Sequence, residues 1–285
     1  MNLYQAILNR RSIRRYDKTP LDKETLAQVD HITDQALPLV EGNRCRVMRR
    51  DVVDGEDLTV AIGGYGHVVS PPHYLVPYIL GDTMPLADLG YRMEQMAVRL
   101  ARIGIGSCFI GTLDRESNLR VRFRLPREAH TAAILLFGRA VQNIGGRAVN
   151  AVIRRATGGA NRLPMEEIFF DSDFDHPAKP PAKLKKIIQA ARQAPSSLNT
   201  QPWRILWRDG ALYFYVRRDH PNYEKEDPRY RYVDGGNCMA NITLALEVFN
   251  LAGDWERYAP TLRFPEPPAS LEIEIEPLAK LPLDI

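Results

Sequence analysis

The sequence predicts an α+β protein made of two tandem copies of one unit. Three observations predict it. Some segments carry apolar residues at helical spacing and others carry short apolar runs, so helices and strands are mixed along the chain. Leu26-Ala27-Gln28-Val29, running on to Gln35-Ala36, resembles Leu184-Lys185-Lys186-Ile187, running on to Gln193-Ala194. The same shift sets Tyr16 against Phe174 and Val47 against Ile205. Further on, Asp88-Leu89-Gly90-Tyr91-Arg92-Met93 resembles Asp234-Gly235-Gly236-Asn237-Cys238-Met239 at a smaller shift. So long a period is not that of a stacked-repeat array, and the preserved order points to a duplicated domain. The first copy is expected at residues 1–145, a linker at 146–164, and a shorter second copy at 165–285.

The elements follow in order. Residues 3–9 read as a short helix leading into an Arg-rich turn. Residues 21–35 read as a second helix, with Asp22 as its N-cap. Residues 74–80 are a strand after Pro71-Pro72, and Pro77 within it predicts an edge or a bulge. Residues 86–103 form a helix: Leu89, Met93, Met96, Ala97 and Leu100 recur at its spacing, and Gly104 follows as the C′ residue. Residues 132–137 are an apolar strand. Residues 143–163 set Gly145-Gly146 and Gly158-Gly159 around a basic stretch and join the copies. The second copy repeats the plan with a helix at 183–193 and strands at 203–207 and 212–216, joined by an Asp209-Gly210 turn. A helix at 236–251 puts Met239, Ile242, Leu246 and Phe249 on one face. Residues 271–275 alternate apolar and acidic, the pattern of a half-exposed strand.

Composition excludes several classes. The chain has 285 residues, 45% hydrophobic and 26% charged, which is globular rather than disordered. A net charge of +3 gives no reason to expect a nucleic-acid or membrane partner, and no apolar run approaches a membrane span. The first residues lack the apolar core of a signal peptide. Cys45, Cys108 and Cys238 are odd in number and widely spaced, which fits a reduced compartment. A cytoplasmic protein is expected. Histidines and cysteines show no metal-ligand spacing, Asp171, Asp173 and Asp175 lack the rest of an EF-hand, and no Ser-His-Asp set is legible.

The functional signal lies in two distant stretches. One is Arg10-Arg11-Ser12-Ile13-Arg14-Arg15-Tyr16; the other is Ala194-Pro195-Ser196-Ser197-Leu198-Asn199-Thr200-Gln201-Pro202-Trp203. Together they resemble the nitroreductase family of FMN-dependent oxidoreductases. In that family an Arg/Ser-rich N-terminal stretch and a Pro-Ser-Ser-x-Asn-x-Gln-Pro-Trp stretch touch the flavin from opposite subunits of a homodimer. Here each stands once, in opposite copies of one chain. The resemblance implies a nitroreductase-like fold, with two sheets flanking the paired helices 86–103 and 236–251. It also implies a monomer with an internal pseudo-twofold axis.

The losses are complementary. The positions matching Arg10, Arg11, Ser12 and Arg14 are Ile168, Phe169, Phe170 and Ser172 in the second copy. Those matching Pro195, Ser196, Ser197 and Asn199 are Leu37, Pro38, Leu39 and Glu41 in the first. One composite site keeps both halves and the other keeps neither, so one FMN per chain is expected.

FMN makes three demands. Its phosphate calls for cations and donors, which Arg10, Arg11, Ser12 and Arg14 supply within one turn. By resemblance, Arg162 before Leu163-Pro164 also reaches the phosphate. The reduced ring carries negative charge at one edge, and a fixed cation there, Arg14 or Arg10, stabilises it. The stretch Gly104–Leu113 resembles the family's segment passing the flavin, with Gly111 and Thr112 as backbone donors to N5. Pro195, Ser196, Ser197 and Asn199 line the ribityl or phosphate side, while Gln201 and Trp203 hold the loop and core. The family's polar residue at the pyrimidine edge has no clear match in Gly63-Gly64-Tyr65-Gly66-His67, where His67 is a weak candidate.

The function implied is ping-pong transfer of hydride from NAD(P)H through FMN to an acceptor such as a nitroaromatic or quinone, with no side chain acting as a catalyst itself. A different class is a non-catalytic or degenerate flavin-binding protein. Another reaction on the same cofactor, reductive dehalogenation or flavin fragmentation, is a third reading, because fold does not fix chemistry. Acceptor-side residues are sought among Tyr65, Tyr230 and Tyr232. NADPH oxidation with an artificial acceptor separates the first two readings.

Overall fold

Two long helices set the architecture of the computed structural model, which describes residues 1–52, 59, 63–67, 69–141, 161–259 and 261–285. Most of the expected linker, residues 146–160, lies outside the described residues. The first half runs α1 (Leu3–Asn9), α2 (Lys23–Asp34), β1 (Arg44–Asp51), β2 (His73–Leu80), α3 (Pro85–Arg102), β3 (Gly106–Gly111), α4 (Glu116–Phe123) and β4 (Ala133–Gly138). The second runs α5 (Met165–Ile168), β5 (Phe169–Asp171), α6 (Ala182–Arg192), β6 (Trp203–Arg208), β7 (Ala211–Arg217), α7 (Tyr230–Phe249), β8 (Glu256–Arg257) and β9 (Ile275–Pro282). The result is the expected α+β mixture.

Among the described residues there are two sheets. One is antiparallel in the order β1-β2-β4-β3; the other has the order β5-β6-β7-β9-β8, parallel only between β5 and β6. Helices α3 and α7 lie between them. Ala87 and Tyr91 of α3 belong to the core that holds Ile205, Phe214 and Leu278 of the second sheet. Tyr230 and Val233 of α7 belong to the core that holds Leu135 and Phe137 of the first. The start of each helix thus crosses onto the other half's core.

Glycine allows that crossing. A Cβ at Gly90 would strike the Val233 carbonyl oxygen, and one at Gly236 would strike the Ala87 carbonyl oxygen. The backbones therefore touch at two points, and neither point tolerates a side chain. This explains why α7 begins at Tyr230 and not at 236 as its periodicity suggests. Gly235-Gly236 reads as a helix breaker, yet Gly236 is held helical by the contact it permits.

Local chemistry explains other elements. The Asp22 carboxylate caps α2 by accepting from Thr25 N at 2.8 Å. Asp209 and Gly210 both have positive φ, 50° and 71°, as a tight hairpin between β6 and β7 requires. Pro77 sits in an interior strand, but at a bulge. Leu75 pairs with Leu135 and Ile79 with His130, so β2 advances one residue less than its partner between these points. The proline's missing N–H falls in that gap, and Thr131 Oγ1 donates to Pro77 O at 3.1 Å.

Residues 271–275 do not form the expected strand. The strand is Ile275–Pro282, which pairs along β7 and carries Pro277 and Pro282. Those prolines hid it from a reading based on alternation. Strands β1, β3, β5 and β8 and helix α4 were likewise not assigned from the sequence. Among the described residues, no helix is long and apolar enough to cross a membrane.

Gly90→Ala and Gly236→Ala are each expected to cost about 1–3 kcal/mol by overpacking. Gly42→Ala, where nothing lies within 4 Å of the added carbon, should change stability by less than about 0.5 kcal/mol. Denaturant unfolding of the three variants checks this; equal stabilities would mean that the helices have room to move apart.

Candidate functional site

The two stretches singled out by the sequence meet across one cavity of about 780 Å³. The first follows α1. Ser12 bridges to Ser107 of β3, and Ile13 N donates to Ser107 O at 2.9 Å, so the Arg-rich turn lies along the outer edge of β3. The second is the turn between α6 and β6. Three of its non-glycine residues, Leu198, Asn199 and Gln201, have positive φ of 45°, 57° and 48°. Such a conformation persists only where surroundings impose it.

The imposing groups can be named. Asp234 of α7 accepts from Ser197 N at 3.1 Å with each carboxylate oxygen. Ser196 Oγ accepts from Gln201 N at 2.9 Å. Asn237 Nδ2 donates to Pro195 O at 3.2 Å. Arg162 Nη1 donates to Asn199 Oδ1 at 2.7 Å, Asn199 Nδ2 to Asn161 O at 2.7 Å, and Leu163 N to Gln201 Oε1 at 2.9 Å. Trp203 is fully buried at the start of β6. The loop is therefore tied both to α7 and to residues 161–163.

Of the residues expected at the site, Ser12, Arg14, Gly111, Pro195, Ser196 and Ser197 line the cavity. Arg10, Arg11, Thr112, Arg162 and Asn199 are not among the lining residues. Arg10 is buried, with Nε 3.2 Å from Glu94 Oε1. Arg11 is exposed and donates to Leu8 O and Arg10 O. Asn199 and Arg162 clamp each other. Thr112 is fully buried, and its N–H is taken by Ala132 O at 2.8 Å. Because N–H directions alternate along a strand, Gly111 turns its own N–H to the open edge of β3. On that edge Gly111 O accepts from Arg115 Nη2 at 2.8 Å.

Several lining residues escaped the sequence reading. Tyr230 was named only as an acceptor-side residue; its ring packs where a Cβ on Gly111 would sit, and its hydroxyl accepts from Leu113 N at 2.9 Å. Glu226 lines the cavity and hydrogen-bonds the Ser197 hydroxyl. Burial raises the Glu226 pKa against the opposing Ser197 bond. Burial also pushes the Asp234 carboxyl well above the usual carboxylate range, opposed by the Ser197 N–H. Asn237 Oδ1 is buried at the cavity and meets no donor among the described residues. The one signal for any of these was that Asp234 matches Asp88 in the repeat. Tyr232 does not line this cavity, and the side chains of Tyr65 and His67 lie outside what is described.

Asp234→Ala leaves Ser197 N and Thr200 Oγ1 without their acceptor and is expected to cost about 1–3 kcal/mol. Asp234→Asn keeps an acceptor. Since the folded-state pKa of Asp234 is raised, ionising it opposes folding, and stability is lost as pH climbs through that pKa. The Asn variant escapes this loss, so its stability relative to wild type should improve from acid to neutral pH. Denaturant unfolding at several pH values reads both effects; a constant difference between Asp234→Asn and wild type would contradict them.

Comparisons with known proteins bear on the family and the fold. The family model described as "Putative TM nitroreductase" matches residues 2–225. The crystal structure of a "putative nitroreductase" from Thermotoga maritima superposes with a TM-score of 0.60 at 19% identity, covering 99% of this chain and 94% of that one. An FMN complex of a protein from Desulfovibrio desulfuricans, named in the same way, has a TM-score of 0.43 at 20% identity over 50% of this chain and 88% of that one. A nitroreductase family protein from Clostridium difficile gives 0.42 at 18% identity, over 59% of this chain and 96% of that one. No curated protein matches the chain. The extent of the family match settles membership: the chain belongs to this nitroreductase family.

Proposed function

We propose, with that membership as the premise, that the cavity holds FMN between two copies of one unit and that the protein passes hydride from NAD(P)H to an acceptor such as a nitroaromatic or a quinone. The observation that carries the reading is that Ser12 and Arg14 share one cavity with Pro195, Ser196 and Ser197.

The residues fit the cofactor. The cavity volume lies within the roughly 300–1,000 Å³ usual for a small-molecule site. Phe109, Ile110, Ala133 and Val233 give it an apolar wall suited to a flat ring. Ser12, Ser196 and Ser197 offer hydroxyls to a ribityl chain, and the Arg14 guanidinium provides a fork of donors for the phosphate or the electron-rich ring edge. Gly111 supplies an N–H on the open edge of β3. Asn237 Oδ1 is a buried acceptor that meets no donor among the described residues, and a cofactor donor there would offset the cost of leaving it unpaired. Arg10 and Arg162 stand behind the lining and add positive charge at the phosphate end. When bound, the flavin supplies the two-electron chemistry; the chain's part is to orient it and keep water away from it.

A single site per chain follows from the other junction. Ile168, Phe169 and Phe170, which match Arg10, Arg11 and Ser12, are buried among apolar neighbours. Leu39, which matches Ser197, packs against the core of the second half. The duplication itself is supported by a repeated hydrogen bond: Leu39 N donates to Asp88 Oδ1 at 2.7 Å as Ser197 N donates to Asp234.

Arg14→Ala should weaken FMN binding by roughly tenfold or more, since a charge-assisted hydrogen bond is worth about 1.5–3 kcal/mol. Arg208→Ala, paired with Asp209 at the far end of β6, should leave it unchanged. Flavin fluorescence titration decides, and equal affinities would remove Arg14 from the site. Anaerobic mixing with NADH or NADPH should bleach the bound flavin. A flavin that binds but is bleached by neither would favour the non-catalytic reading.

A further inference from the structure

Glu94 has no part in the reading so far, yet it lies at the heart of the junction. It stands on α3 with no exposed surface, facing Arg10 at the end of α1. Arg10 Nε is 3.2 Å from Glu94 Oε1 as an ion pair, and among the described residues Glu94 Oε2 meets no donor and Arg10 Nη1 is buried without an acceptor. Arg162 faces the pair from the segment before α5, and Cys238 faces it from α7. Arg11 and Arg192 lie around Arg162. Arg162 donates to Asn199 and Gln193 O, and Arg192 to Leu163 O and Arg162 O, so neither of these bonds reaches a carboxylate.

Two arginines, Arg10 and Arg162, therefore face one carboxylate, and Arg11 and Arg192 stand near Arg162. Burial lowers the Arg162 pKa to about 10, with help from Arg10 and Arg11. Burial raises the Glu94 pKa to about 7 against the attraction of Arg10 and Arg162. The cluster is built for more negative charge than Glu94 supplies.

We propose that Glu94 is the internal counter-ion of the phosphate end of this site, and that seating the cofactor phosphate among the arginines drives a proton onto Glu94. The inference rests on the flavin reading above. A dianion placed near a buried carboxylate disfavours its charged form. The neutral carboxyl releases Arg10 to the phosphate. The complex then holds one proton that the free protein lacks, so affinity must fall as pH rises above the free-state pKa, by up to about tenfold per pH unit. Of the groups that face Glu94, none mimics this between pH 7 and 9, and riboflavin, which lacks the phosphate, separates it from Asp234 and Glu226, the raised carboxyls that line the cavity. A phosphate monoester, with its second pKa near ~6, stays a dianion there. Burial holds Cys238 as the thiol, and Arg162 keeps its proton.

The test is calorimetric titration of apoprotein with FMN between pH 7 and 9, in buffers of different ionisation enthalpy. Wild type should take up close to one proton per FMN at pH 8. Glu94→Gln should bind FMN without proton uptake and with an affinity flat in pH. Riboflavin, the same ring without phosphate, should bind wild type without proton uptake, which keeps the test open even if the variant folds poorly. FMN binding with no uptake, or uptake that persists in Glu94→Gln or with riboflavin, overturns the proposal and leaves the flavin reading standing. Failure of wild type to bind FMN at any pH defeats the flavin reading and the proposal with it.

Discussion

Everything at the site depends on how closely α3 and α7 approach. Gly90 admits the Val233 carbonyl and Gly236 the Ala87 carbonyl, so the helix starts interpenetrate and each lands on the opposite core. That crossing carries Tyr230 to Gly111 and brings Asp234 and Asn237 beneath the 195–201 loop. One wall of the cavity is thereby a β-strand of the first half, and the facing wall is a loop of the second. A larger separation of the helices would part the two walls, because among the described residues α3 and α7 are the most closely packed pair of elements.

The same local device occurs at both junctions with different loads. Asp88 accepts from Leu39 N, and its charge is met by Arg92 one turn on and by Asn43. Asp234 accepts from Ser197 N, and one turn on stands Cys238 in place of an arginine. Among the described residues Asp234 keeps a buried carboxyl with hydrogen bonds but no paired cation, and burial, with nearby Glu226, raises its pKa. The first junction is a closed structural knot. The second holds a strained loop whose serines line the cavity, with Ser196 Oγ accepting from Gln201 N and the Ser197 hydroxyl bonded to Glu226.

Much of this was legible in the sequence. The helices expected at 3–9, 21–35, 86–103 and 183–193 form at 3–9, 23–34, 85–102 and 182–192, the second legible from its Asp22 cap and the third from its 3.6-residue spacing. The Asp209-Gly210 hairpin is visible because only a few residues accept its backbone. The two site stretches were legible as motifs, and they do meet. Long-range reasons hid the rest. β1 carries Arg44, Arg46, Arg49 and Arg50 and looks like a surface loop until Arg49 pairs with Asp30 and Asp51. β9 contains two prolines tolerated by its pairing. The first turns of α7 were lost to a Gly-Gly pair whose purpose lies on another helix. Arg10 reads as a ligand of the phosphate, and nothing local reveals that Glu94, far along the chain, faces it in the core. Thr112 reads as a donor, but its N–H is claimed by Ala132, which only the register of β3 on β4 discloses.

The central claim is that one chain builds one composite cofactor site by folding two copies against each other. The most direct measurement is the solution mass of the FMN-loaded protein by light scattering, taken together with its flavin content by absorbance. The account predicts a particle of one 32.3 kDa chain carrying one flavin. An obligate dimer whose flavin sites draw residues from both chains, or two tightly held flavins per chain, would contradict it.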